Sequence, residues 1–174
     1  ELLTEIPVPD GNHCIVEIRR GGAVFYIDPT SETYRFPYLR EDDNDVKVVN
    51  YIKGEFGKTQ LSRPEDNEKS SKLDITIDSA GNGKCSIINY YTGPYEAQVR
   101  AAWRRIKKQD TAKVMQNYIS NLCSGAVFKN FDISDLFDLS KQLIMRIDFD
   151  ASDMWERAGK MRILQLPAIE KKFD

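Results

Sequence analysis

Histidine is nearly missing from this chain: there is one, His13, in 174 residues. The cysteines, Cys14, Cys85 and Cys123, follow no metal-ligand spacing, and with a single histidine a zinc site is not expected. Their odd count leaves at least one free thiol, which neither requires nor excludes an oxidising compartment. No apolar run approaches the ~20 residues needed to cross a bilayer, and the opening residues carry no secretory leader pattern. A surplus of positive charge is missing too. With 25 Lys and Arg against 27 Asp and Glu, the net charge of −2 argues against a nucleic-acid partner. What remains, 41% hydrophobic and 30% charged, fits a soluble globular protein of one or two small domains.

The lone histidine has a candidate partner. Asn12 to Ile18 reads as a strand, Arg19-Arg20-Gly21-Gly22 as its turn, and Ala23 to Thr30 as the returning strand. A turn centred between Arg20 and Gly21 pairs residues whose numbers sum to 41, His13 and Asp28 among them. Directly opposed residues share a sheet face with Cβ atoms ~4.5–5.5 Å apart. Centring the turn on Gly21-Gly22 makes the two diagonal neighbours, still within side-chain reach. Either register gives a base oriented by an acid, two thirds of a nucleophilic triad. The plainer reading is a surface histidine beside an ordinary Asp-Pro-Thr turn.

Further along, residues 31–45 are turn-rich and acidic. Glu41-Asp42-Asp43-Asn44-Asp45 lacks the spacing and glycine of an EF-hand and reads as a solvated loop. Val46–Ile52 has strand composition, Lys53–Gly57 a turn, and Thr59–Leu61 a short strand. Arg63–Lys72 contains no apolar residue and reads as a linker between residues 1–62 and 73–174. Leu73, Ile75 and Ile77 alternate with polar residues, and Ala80-Gly81-Asn82-Gly83 turns the chain into a strand over Lys84–Tyr91. Pro94 opens a helix carrying Val99, Ala102, Trp103 and Ile106 at helical spacing, and Asp110-Thr111 breaks the stripe and can cap a second segment, giving two helices or one kinked helix ending at Gly125. Strands are expected over Ala126–Ile133, around Met145–Phe149, and over Lys160–Leu166, with a loop or a short helical turn over Ser134–Lys141. The fold class is therefore α+β. The second part reads as hairpin–helix–helix–three strands, with the helices covering one sheet face.

Three other features have plain readings. Arg100, Arg104, Arg105, Lys107 and Lys108 read as a solvated helix face rather than an anion site. Trp155 reads as packing over a sheet edge from a loop. Tyr90, Tyr91 and Tyr95 read as an aromatic cluster in the core.

The run Asn12-His13-Cys14-Ile15-Val16, a hairpin, and Phe25-Tyr26-Ile27-Asp28-Pro29-Thr30 resembles the His and Asp stretch of the transglutaminase-like cysteine enzymes. The likeness covers roughly residues 6 to 40. Looser likeness, in Leu73–Ile77, Tyr91-Thr92-Gly93-Pro94-Tyr95 running into Arg100, and Leu143–Phe149, is to bacterial members with an uncharacterised β-rich domain behind the catalytic core. The resemblance implies that residues 1–62 are the last sheet portion of such a core, with His13 and Asp28 as catalytic base and orienting acid. In that family the nucleophilic cysteine lies on a helix well before the histidine. Only twelve residues precede His13 here, and strand alternation turns Cys14 to the opposite face, where it reads as a small core residue. The chain is thus expected to be an inactive C-terminal fragment whose parent performs thiol-dependent acyl transfer or amide hydrolysis on a protein or peptide. No cofactor or metal is implied, and the analogy places the parent in the bacterial periplasm or envelope. The alternative is a non-catalytic β-rich binding or assembly module. An unpaired sheet edge near residues 1–30 would favour self-association.

Overall fold

The computed structural model describes residues 11–123 and 125–164. The loop expected at the start falls almost wholly outside them, as does the end of the last expected strand. Two α-helices and ten strands lie within the described residues, so the α+β class holds. The strands form three two-stranded hairpins and one four-stranded sheet. None of the described helices is long and apolar enough to cross a membrane.

The chain divides into two compact units, not split at a simple linker. The first holds the described residues up to Glu68 together with Tyr91–Ala101 and Phe137–Gln142. The second holds Lys69–Tyr90, Ala102–Leu136 and the described residues from Leu143 onward. The expected linker, Arg63–Lys72, is accordingly corrected. Pro64–Asp66 forms a 3-10 turn, and strand β5 already begins at Lys69. A polar stretch can still be ordered when its backbone groups find partners. Glu68 N–H donates to Thr92 Oγ1 at 2.9 Å, Thr92 N–H returns to Glu68 O at 2.9 Å, and Asn67 Oδ1 accepts from Tyr95 N–H at 3.2 Å.

In the first unit, β1 (Val16–Arg20) and β2 (Ala23–Ile27) pair antiparallel from Val16↔Ile27 to Arg20↔Ala23. Paired numbers sum to 43, so the Arg20–Gly21 centre is overturned in favour of a two-residue turn at Gly21-Gly22. Both glycines have positive φ, 59° and 80°, the backbone a tight hairpin demands and that an arginine at position 20 would adopt only with strain. The second hairpin joins β3 (Lys47–Asn50) to β4 (Glu55–Lys58). It turns earlier than the strand composition indicated, because Asn50 Oδ1 accepts the Ile52 and Lys53 N–H groups at 3.1 Å and ends the strand. Just past β4, the Gln60 side chain binds the backbone of Tyr26 in β2 and Pro37 O.

Helix α1 (Gly93–Arg104) starts at a glycine with φ of 57°, where a Cβ would collide with the Asp66 carbonyl oxygen. The solvated-face reading of its basic residues is corrected for Arg100, whose side chain is 0% exposed. It bonds to Glu96 Oε1 through Nη2 at 2.8 Å and Nε at 3.1 Å, while Arg35 holds Glu96 Oε2 at 3.1 Å. Arg100 Nη2 also donates to Lys141 O at 2.8 Å. Burying charge is tolerated only when it is paired and hydrogen-bonded in this way. Of the three tyrosines, Tyr91 is buried, whereas Tyr95 is 45% exposed and leaves the expected core cluster.

The second unit is built on the sheet β5-β6-β8-β7, with β5 Lys69–Ile77, β6 Gly83–Tyr91, β7 Val127–Ile133 and β8 Leu143–Ala151. Alternation is clean on the inner strands. Cys85 and Ile87 of β6, and Met145, Ile147 and Phe149 of β8, are buried, while Lys84 and Arg146 face out. Helix α2 (Thr111–Leu122) packs on β7. It buries Met115 and Ile119, and its Gln116 accepts from Phe128 N–H at 2.9 Å and donates to Ala126 O at 2.8 Å. Asp110 stands at the N-cap position but makes no side-chain cap bond. The loop expected around Trp155 is instead β9 (Trp155–Ala158), paired with β10 (Met161–Leu164). Trp155 packs against Gly81 of the β5–β6 turn, with the Arg162 guanidinium 4.4 Å from its ring centre.

Candidate functional site

His13 and Asp28 do meet. His13 Nε2 lies 3.2 Å from Asp28 Oδ1, although neither is inside a strand and the contact is the diagonal one. Asp28 follows β2 directly, and its side chain is 1% exposed against 36% for His13. Its aim is set locally. Thr30 N–H donates to Asp28 Oδ1 at 2.9 Å, and Thr30 Oγ1 donates at 2.7 Å to Oδ1 with Oδ2 at 3.0 Å. Burial pushes the Asp28 carboxyl up, but the Thr30 hydroxyl, the Thr30 amide and His13 outweigh it and hold the group below the usual carboxylate range. Asp28 is therefore an anion facing one ring nitrogen. A neutral His13 ring that carries its proton on Nε2 toward that anion leaves Nδ1 with the free lone pair.

A third residue, unrecognised in the sequence, joins them. Asp43 belongs to the acidic stretch whose composition points to a solvated loop, but it is only 7% exposed. It closes the 3-10 turn Glu41–Asp43, whose position is fixed by the next residue. Asn44 Nδ2 donates to Arg40 O at 2.6 Å, and Asn44 Oδ1 accepts from Ser62 N–H at 3.1 Å and Ser62 Oγ at 2.7 Å. One ligand atom from each of His13, Asp28 and Asp43 lies within 4.8 Å of the other two. Asp43 Oδ2 is buried with no hydrogen-bond partner. Burial, with Asp42 and Asp28 nearby, pushes its carboxyl up, His13 opposing. The only hint in the sequence was an asparagine placed to cap the turn.

A cavity of about 410 Å³ opens beside Asp28, walled by Ile27, Pro29, Tyr34, Phe36, Tyr38 and Leu39. The cysteines stand apart in character. Cys14 is exposed rather than the core residue expected. Cys85 is buried, and burial pushes its thiol up to about 11, the opposite of an activated nucleophile. No protein-family model, curated protein or solved structure matches this chain.

Proposed function

We propose that His13 and Asp28 are the base and orienting acid of a transglutaminase-like Cys-His-Asp centre, with the thiol supplied from upstream of His13. The supporting observation is the 3.2 Å approach of His13 Nε2 to a buried carboxylate that Thr30 holds from two sides. In this reading Nδ1 takes the proton of the attacking thiol. The thiolate adds to an amide carbonyl of a protein or peptide, and the same nitrogen protonates the departing amine. Asp28 fixes the tautomer and stabilises the imidazolium formed in between. Residues 1–62 would be the last sheet portion of that core. The four-stranded unit would be an appended β-rich domain of a bacterial envelope protein.

The test has two arms. In this chain, nitrogen NMR of the neutral His13 ring should find the proton on Nε2, and Asp28→Asn should shift the tautomer balance. A balance indifferent to that substitution removes the orienting acid. In the chain extended by its encoded upstream residues, amide hydrolysis or acyl transfer should be abolished by thiol alkylation. It should also fall about 10²–10⁴-fold in His13→Gln. Activity insensitive to alkylation, or no helix-borne cysteine upstream, leaves the binding-module alternative.

A further inference from the structure

We propose that His13 Nε2 and one carboxylate oxygen each from Asp28 and Asp43 form a binding site for a single divalent transition-metal cation of the zinc class. The argument starts from Asp43. A buried carboxylate oxygen without any partner is a costly group to keep, and native proteins almost always satisfy such atoms. Nothing in its own turn needs the carboxylate, because Asn44 supplies the bonds that shape it. The imidazole and the Asp28 carboxylate are close by, one ligand atom from each of the three residues lying within 4.8 Å of the other two.

One edge of the cluster already has the length a small metal needs. Ligands held about 2.0–2.1 Å from a tetrahedral zinc stand about 3.3–3.4 Å apart. The His13 Nε2 to Asp28 Oδ1 separation of 3.2 Å already matches that edge. One imidazole and two carboxylates are borderline-to-hard donors, suited to Zn²⁺ and its first-row neighbours. Calcium would take six to eight oxygens, which this set does not offer. Outer support is also in place: Thr30 braces Asp28 through its amide and its hydroxyl. Three protein ligands, one of them on a partly exposed ring, leave a coordination position open toward solvent.

Binding has a definite consequence for the ring, one that rests on the reading of His13 as a base. The cation takes the Nε2 lone pair, so the single proton of the neutral ring moves from Nε2 to Nδ1. The nitrogen that would accept the thiol proton is then occupied. A zinc-class ion would switch the dyad off reversibly, and a chelator would restore it.

The experiment is a Zn²⁺ titration of the full chain against a chromophoric chelator, with nitrogen NMR of the His13 ring in parallel. One equivalent should bind, and the ring should move to the Nδ1-protonated tautomer without any substitution. Asp43→Asn, isosteric and checked for folding by circular dichroism, should weaken binding at least about tenfold. His13→Gln should abolish binding, and Cys14→Ser should leave it unchanged. Binding weaker than ~100 µM in the wild type overturns the site. So does affinity indifferent to Asp43→Asn, or affinity lost with Cys14. The tautomer of the metal-free ring and its response to Asp28→Asn report on the catalytic reading alone, so the two proposals fail separately.

Discussion

The side-chain amide of Gln60 closes on the Tyr26 peptide from both sides, Oε1 accepting from its N–H at 3.1 Å and Nε2 donating to its C=O at 2.9 Å. A single side chain thus stands in for a neighbouring strand along β2, two residues before Asp28. Gln60→Ala leaves the backbone groups of the buried Tyr26 without partners, and should cost about 1–3 kcal/mol in denaturant unfolding. Hydrogen exchange at the Tyr26 amide should accelerate in the same variant. Unchanged protection there would show that the Gln60 bonds contribute nothing to holding β2.

Glu96 is shared by Arg100 on one oxygen and Arg35 on the other. Glu96→Gln removes the charge that compensates two guanidiniums, one of them fully buried. A loss of about 3–5 kcal/mol is expected, as for other broken buried pairs. Arg35→Ala should cost far less, because its side chain is partly open to water. Thermal melts of the two variants give the ranking, and equal costs would contradict it.

The thiols should separate by reactivity. Cys14, exposed, should alkylate rapidly in the native protein at neutral pH, while Cys85 should react only on unfolding. A thiol held up to about 11 when folded favours the folded state while protonated. That contribution is complete below the unfolded-chain value near ~8.5 and is lost as pH rises through about 11. Alkaline unfolding should therefore be less steep over that window in Cys85→Ala than in the wild type. Mass spectrometry of labelled native protein and pH-dependent melts measure the two effects.

Asp43→Asn should stabilise the metal-free protein at pH 7 by about 1 kcal/mol, since an amide is cheaper to bury than a carboxylate with one oxygen left without a hydrogen bond. The measurement is urea unfolding in the presence of a chelator. A destabilised variant would mean that the carboxylate has a partner in the fold itself.

The approach of His13 to Asp28 could be read from the sequence because both residues flank one short hairpin, where numbering fixes distance to within a register step. The step itself was misjudged. Strand pattern alone does not say which two of Arg20, Gly21 and Gly22 occupy the left-handed turn positions, and only the glycines adopt them cheaply. The regular sheet of the second unit was legible for a similar reason, since β5, β6 and β8 alternate strictly. Asp43 and Arg100 were hidden by the opposite circumstance. Asp43 sits in an acidic run and Arg100 belongs to a basic cluster with Arg104, Arg105, Lys107 and Lys108, and such groups usually face water, so burial there depends on distant segments. Glu96 and Arg100, four apart on α1, carried a signal that spacing could have found. The hairpin at Trp155 was lost to polar composition. Its marker was Gly159, which turns with φ of 64° between Ala158 and Met161.

The two halves of the dyad are built on unequal foundations. Asp28 owes its aim to Thr30, two positions away and joined through a proline, so a tripeptide carries the acid's orientation wherever β2 is intact. Among the described residues His13 has no such neighbour bracing it, and it lies ahead of the first paired residue, Val16. Loosening at the entrance to β1 would withdraw the imidazole while the carboxylate stayed aligned, so the reach between the two rests on the backbone ahead of Val16.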